Sequence, residues 1–309
     1  MSMRRVPELS MAEYLSGDPS AQDSFSSHLM KGLQEYGFVI LTDHGVDRDL
    51  LQKAYRLSIA LFELPHEEKM RHASGLRGYT PFGTEHAKDS GLPDLKEFWQ
   101  IGPPGVDTLN DPLCPPNIWP NDPEDFRATF EALFQALHET GYTLMQALAP
   151  QLGLPRGYFD PILTGGPSLL RLLHYPPVPG GVAPGSMRAA AHEDINFLTI
   201  LVAAQGAGLE LLDRDGRWLP VETPPDNLIV DSGDMLARLT NGVIPATTHR
   251  VVNPGAVNTS RYSMPFFMHP RNDASLACLD SCRGAGPEFE PITAGQFLAE
   301  RLAAIGLRK

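Results

Sequence analysis

Apolar residues recur at helical spacing through the first half of the chain and at strand spacing through the second. Phe25, Leu29, Leu33 and Tyr36 fall three or four apart, which predicts an amphipathic helix over 21–36. The run GFVILTDHGV at 37–46 is β-rich and ends in an Asp-His-Gly turn. A second amphipathic helix is expected over 48–63, ending before Pro65, with a short polar helix starting at His66. Residues 75–91 read as loop, with Arg77-Gly78-Tyr79 in their middle, and 96–101 as a strand. A Pro-rich connector at 103–123 leads into the longest helical pattern, 124–151. Its Phe126, Phe130, Leu133, Leu137, Leu144 and Leu148 mark a packing face.

Beyond Gly165 the texture changes to short apolar runs separated by Gly, Pro, Asn and Asp. They lie at 168–175, 196–203, 208–212, 217–221, 227–230, 234–239 and 261–267, and a helix is expected over 294–305. A spacing of about ten residues suits an antiparallel sandwich or barrel. The fold class expected is therefore α+β, with N-terminal and central helices buttressing a jelly roll (double-stranded β-helix). Residues 1–123 would form a helical N-terminal region with a few strands and substrate-side loops. Residues 124–309 would carry the long helix, the jelly roll and the last helix, the two parts making one compact unit.

Composition narrows the function. A hydrophobic share of 42% with 20% charged residues is ordinary for a globular protein, and 28 Gly and 29 Pro, scattered, imply many turns. A net charge of −12 argues against a nucleic-acid partner, which needs a basic footprint. Three cysteines, Cys114, Cys278 and Cys282, are too few for a disulfide scaffold and fit a reducing compartment. Residues 1–15 have no apolar core of a signal peptide, and no apolar run is long enough to span a membrane. The expected location is the cytoplasm.

Candidate chemistry centres on AHEDINFLTILV at 191–202. Read as a strand, it puts His192 and Asp194 on one face and points Glu193 away. An imidazole and a carboxylate so placed can converge on a metal ion. Alone, a His-x-Asp pair is near chance level in a chain with ten histidines, so a third ligand matters. Two histidines follow, His249 and His269, and His249 is favoured because it enters a β-branched run. Two His and one carboxylate leave three octahedral positions open, the pattern of non-haem Fe(II) oxygenases. Arg261 and Ser263 are two apart on the run RYSMPFF, so both face one side, where they can grip a carboxylate. Tyr175, held extended by Pro176 and sharing parity with Arg171 and Leu173, is a further candidate for binding an acid.

With these residues assembled, the chain resembles the isopenicillin N synthase-like branch of the Fe(II)/2-oxoglutarate-dependent dioxygenases, from about 21 to 270. The resemblance rests on HEDINFLTIL at 192–201, TNGVIPATTHRVVNP at 240–254 and RYSMPFF at 261–267, preceded by GFVILTDHGV and LFELPHEEK. It implies that His192, Asp194 and His249 bind Fe(II) and that Arg261 and Ser263 hold the distal carboxylate of the co-substrate 2-oxoglutarate. It also implies a dioxygenase reaction: O2 is consumed, 2-oxoglutarate gives succinate and CO2, and a small-molecule substrate is oxidised, usually by hydroxylation. Ascorbate is a candidate reductant. Many relatives carry Asn where this chain has Leu173, and Thr where it has Glu193.

Two other classes fit the same residues: a non-catalytic jelly-roll binding protein, and a zinc-dependent hydrolase using the His/Asp/His set. The Arg-Ser pair has no obvious job in the second. Substrate selection is expected from N-terminal loops, with Arg77 and Tyr79 as candidates, and from the 176–188 loop. Arg171 and Arg188 hint at an acidic substrate.

Overall fold

The computed structural model describes residues 4–87, 91–105, 114–255 and 257–304. The chain opens with β1 (Glu8–Ser10), α1 (Met11–Leu15), α2 (Pro19–Tyr36) and β2 (Phe38–Thr42). It continues through α3 (Arg48–Glu63), α4 (His66–Met70), β3 (Gly78–Thr80), β4 (Glu97–Ile101) and the long α5 (Phe126–Gln151). The second half holds α6 (Asp160–Leu163), β5 (Leu169–Tyr175), β6 (Ala189–His192), β7 (Leu198–Gln205), β8 (Leu209–Leu212) and β9 (Trp218–Pro220). Then come β10 (Leu228–Ser232), α7 (Asp234–Leu239), β11 (His249–Val251), β12 (Arg261–Met268) and α8 (Ala294–Ala304).

The helix ends follow local chemistry. Asp18 caps α2 by accepting from the Ala21 N–H, with Pro19 as the first helical residue. Gly37 ends the same helix at φ 68°, a left-handed conformation in which an L side chain is strained. It also lies so close to Thr247 that an added Cβ would fall 1.8 Å from the Thr247 hydroxyl oxygen. Helix α2 and strand β2 are thereby seated against the segment that leads into His249.

Among the described residues the strands form two sheets. The larger runs β1-β2-β10-β7-β12-β5-β4-β3 and the smaller β6-β11-β8-β9, giving a jelly-roll core. Four strands of the larger sheet come from the N-terminal region, two at each edge. Alternation along each strand sorts its residues. On β12, Arg261, Ser263, Pro265 and Phe267 face the cavity between the sheets. Met264, Phe266 and Met268 instead join the helix-side core, where Phe266 packs edge-on against Phe134 of α5. Arg171, Leu173 and Tyr175 of β5 face the cavity in the same way.

The structure corrects the sequence reading in several places. The run 234–239, taken as a strand, is helix α7. Gly233 precedes it in an extended conformation, and the Asp234 and Met235 N–H groups bond the carbonyls of Asp194 and Ile195. The stretch 75–91 contains β3, and β6 forms over AAAH, which has no β-branched residue to announce it. The strand expected through 191–202 is broken: β6 ends at His192, the chain bends over 195–197, and β7 starts at Leu198 in the other sheet. Part of the 103–123 connector lies outside the described residues.

Candidate metal and co-substrate site

Because β6 stops at His192, strand parity is not what brings His192 and Asp194 together. The crossing from the small sheet to the large one does so, by folding Asp194 back under the end of β6. His249 is the direct antiparallel partner of His192 across the β6–β11 ladder. Each Nε2 lies 3.8 Å from Asp194 Oδ1, and one ligand atom from each of the three residues falls within 4.8 Å of the others.

Outer hydrogen bonds fix the ring orientations. His192 Nδ1 donates to the Ala190 carbonyl at 2.7 Å and His249 Nδ1 to the Thr247 carbonyl at 3.1 Å, which leaves both Nε2 lone pairs directed at the shared point. Burial and the neighbouring His192 lower the pKa of His249, favouring the neutral imidazole a metal requires. Asp194 accepts a short hydrogen bond from the Thr199 hydroxyl, and Thr199 in turn accepts from Asn196 Nδ2. Burial and the adjacent Asp194 carboxylate push Asp231 well above the usual carboxylate range. Glu193, expected to point away, instead sits on the cavity wall, where its carboxylate accepts from the Thr248 hydroxyl.

The triad opens on a cavity of about 270 Å³ that also contains Arg261, Ser263 and Tyr175. Arg261 is 1% exposed. Its Nη1 donates to Ser263 Oγ at 3.1 Å, its guanidinium lies 5.2 Å from the centre of the Tyr175 ring, and its Nε has no hydrogen-bond partner among the described residues. A buried guanidinium with an orphaned N–H and a hydroxyl beside it suits a carboxylate. Leu173, where many relatives of the resemblance carry Asn, pairs directly opposite Ser263 and makes that wall apolar.

The two N-terminal candidates part company. Arg77 lines the cavity, donating to the Leu76 carbonyl and the Cys114 sulfur. Tyr79 does not line it. Its hydroxyl bonds Glu97 in a buried network with Lys69 and His174 on the helix side of β4 and β5. The acidic-substrate hint from Arg171 and Arg188 also fails. Arg171 is paired with Glu85, and Arg188 is buried outside the cavity wall, donating to the Thr259 carbonyl.

Sequence reasoning missed a charged cluster beside His192. Lys96 Nζ lies 2.6 Å from Glu85 and 2.8 Å from Asp94, while Arg171 bonds both Glu85 and Gln100. Asp94 also accepts from the Ala190 N–H, tying the cluster to β6. No local pattern announces it, since Glu85 and Arg171 are 86 residues apart.

Comparison with known proteins then decides the family. Residues 6–122 match the family described as non-haem dioxygenase in morphine synthesis N-terminal, and 166–270 match the 2OG-Fe(II) oxygenase superfamily. A proline hydroxylase of Petromyces alliaceus is 31% identical, covering 96% of this chain and 98% of its own. The chain belongs to the 2OG-Fe(II) oxygenase superfamily. Its cofactor and co-substrate are Fe(II) and 2-oxoglutarate, and its activity is that of a 2-oxoglutarate-dependent dioxygenase.

Solved structures of other proteins agree. A protein assigned to the 2OG-Fe(II) oxygenase family in Caulobacter crescentus is 39% identical with a TM-score of 0.83, covering 96% of this chain and 97% of its own. A full-length Neurospora crassa protein, crystallised with α-ketoglutarate and thymine, is 28% identical with a TM-score of 0.86, over 97% of this chain and 96% of its own. Among the described residues no helix of the oxygenase is long and apolar enough to cross a membrane.

Proposed function

We propose that this dioxygenase binds Fe(II) through His192, Asp194 and His249, and holds 2-oxoglutarate by its distal carboxylate through Arg261, Ser263 and Tyr175. On this reading it hydroxylates a small molecule. The observation that carries it is the meeting of two Nε2 atoms and one carboxylate oxygen in the cavity that also contains the orphaned Arg261 Nε. The bound metal and co-substrate supply the oxidant from O2, with succinate and CO2 as co-products. The chain's own residues orient the ligands, neutralise the co-substrate's far end and keep that end dry, since Arg261 and Ser263 are at most 2% exposed. A zinc hydrolase would leave the Arg261–Ser263 pair without a task.

Relatives point to two kinds of small molecule: proline in the name of the Petromyces hydroxylase, and thymine bound to the Neurospora protein. Arg77 stays a candidate substrate contact because it lines the cavity. Three cysteines, too few for a disulfide scaffold, support a reducing compartment such as the cytoplasm. The test is anaerobic Fe(II) titration followed by conversion of 2-oxoglutarate to succinate on admitting O2, with ascorbate supplied. Iron binding with succinate release is the expected result; zinc-dependent hydrolysis, or binding without turnover, refutes the assignment.

A further inference from the structure

The cavity wall away from Arg261 is crowded with charge, and much of it is paired within the protein. Glu85 lies between Lys96 and Arg171, with Asp94 on the far side of Lys96. Arg171 is further held by Gln100 at 3.0 Å and sits 4.3 Å over the Phe98 ring. Arg301 of α8 is paired with Asp234. Arg77 is packed against backbone, its guanidinium so close to Gly102 that an added Cβ would fall 2.4 Å from it. A charged substrate group docking on Glu85, Lys96, Arg171 or Arg301 would have to break one of these pairs, and stripping one partner from a buried pair is strongly unfavourable. Glu193 on the same wall adds a carboxylate that repels a second acid.

One polar side chain on this wall is not engaged. His269 continues the inward row of β12, following Arg261, Ser263, Pro265 and Phe267 by the same two-residue step. It is 7% exposed, its Nδ1 is buried without a partner, and its ring makes no hydrogen bond among the described residues. Its backbone, by contrast, is pinned. The His269 N–H donates to Ser168 Oγ at 3.1 Å, and Gly166 packs so tightly on the His269 carbonyl that an added Cβ would lie 2.1 Å away. The ring is thus held rigidly on the cavity wall with its hydrogen-bonding capacity unspent, at a cost that a bound partner would remove. Burial, opposed by the Asp194 carboxylate but helped by the charges of Arg77 and Arg171, drives its pKa down to about 4. At neutral pH it therefore offers one donor and one acceptor.

We propose that His269 is a specificity-determining residue that hydrogen-bonds the oxidised substrate, and that this substrate is a small uncharged molecule with an amide-type polar group. The inference rests on the iron and 2-oxoglutarate reading above and goes further by choosing between an amino acid and an uncharged ring. Glu85, Lys96 and Arg171 act as a self-neutralised wall that gives a substrate carboxylate no free cation.

The test measures 2-oxoglutarate conversion to succinate above the substrate-free rate. The panel pairs thymine with orotate, nicotinamide with nicotinate, and 2-pyrrolidinone with pyroglutamate and L-proline. At least one uncharged compound is expected to stimulate turnover, with its charged counterpart about tenfold weaker or more. His269→Phe should raise the KM for that compound about tenfold, and His269→Asn, which keeps a donor and an acceptor, should recover part of the loss. The Asn variant carries the test if the Phe variant does not fold. Preference for the charged partners overturns the proposal. So does a panel in which no uncharged compound stimulates while substrate-free conversion runs, or a KM within twofold of wild type in the folded variants. Absence of substrate-free conversion refutes the iron and co-substrate reading instead, and this proposal falls with it.

Discussion

His192 and His249 are direct cross-strand partners on β6 and β11, with ring centres 4.4 Å apart. Backbone pairing alone therefore sets two of the three candidate ligands face to face, and the third has to be delivered by a turn. The candidate metal site is as rigid as that turn.

Asp194 is the candidate ligand the turn delivers. Asp194→Ala should weaken Fe(II) binding on the order of 100-fold or more, since losing even an outer partner of a ligand costs about 10- to 100-fold. Anaerobic Fe(II) titration reads it, and wild-type affinity in the variant would remove Asp194 from the ligand set.

Thr199 steers that carboxylate through its hydroxyl. Thr199→Val, nearly the same size, should cost about 10- to 100-fold in Fe(II) affinity, and Thr199→Ser should restore most of it. Equal losses in both variants would point to packing instead of the hydrogen bond.

Arg261→Ala should raise the KM for 2-oxoglutarate by roughly ten- to 150-fold, equivalent to about 1.5–3 kcal/mol. Arg261→Lys should recover little, because an ammonium cannot reproduce the planar fork that reaches Ser263. Steady-state kinetics in 2-oxoglutarate decides.

Glu85 is the hinge of the charged cluster. Burial raises its pKa, but Arg171 and Lys96 outweigh burial and hold it at about 2. The folded pKa lies below the unfolded one, so the stability it contributes is fully present above about pH 4.5 and drains away as pH falls toward 2. Glu85→Gln should destabilise the fold at pH 7 by about 3–5 kcal/mol, since Arg171 loses its carboxylate and Lys96 keeps only Asp94. The gap to wild type should narrow steadily below about pH 4.5. Urea midpoints across that range test this, and a gap independent of pH would refute it.

How much of this was legible in the sequence depended on range. Residues whose neighbours lie a few positions away were readable. The inward row Arg261, Ser263 and the row Arg171, Leu173, Tyr175 follow from two-residue alternation, and the faces of α2 and α5 from helical spacing. The sequence favours His249 over His269 because it enters a strand, and His249 is the one that clusters with His192 and Asp194. What was hidden depends on chain crossings. The run 191–202 looks like one strand because its composition is continuous, yet it passes between two sheets. Tyr79 sits close to Arg77 in sequence, but its ring turns to Glu97 on the far side of β4. Glu85, Lys96 and Arg171 look like ordinary surface charges until the β4–β5 ladder, with the segment leading into β4, brings them together.

That ladder has a further consequence. Lys96 and Gln100 come from the N-terminal part of the chain, while β5 joins β4 to β12 and so to Arg261. Part of the cavity wall facing the candidate ligands is thus written in a separate stretch of sequence, meeting the rest along one seam. Relettering the inward positions of β4 would change what the cavity admits while leaving every metal ligand in place. The same engine can be fitted with a different door.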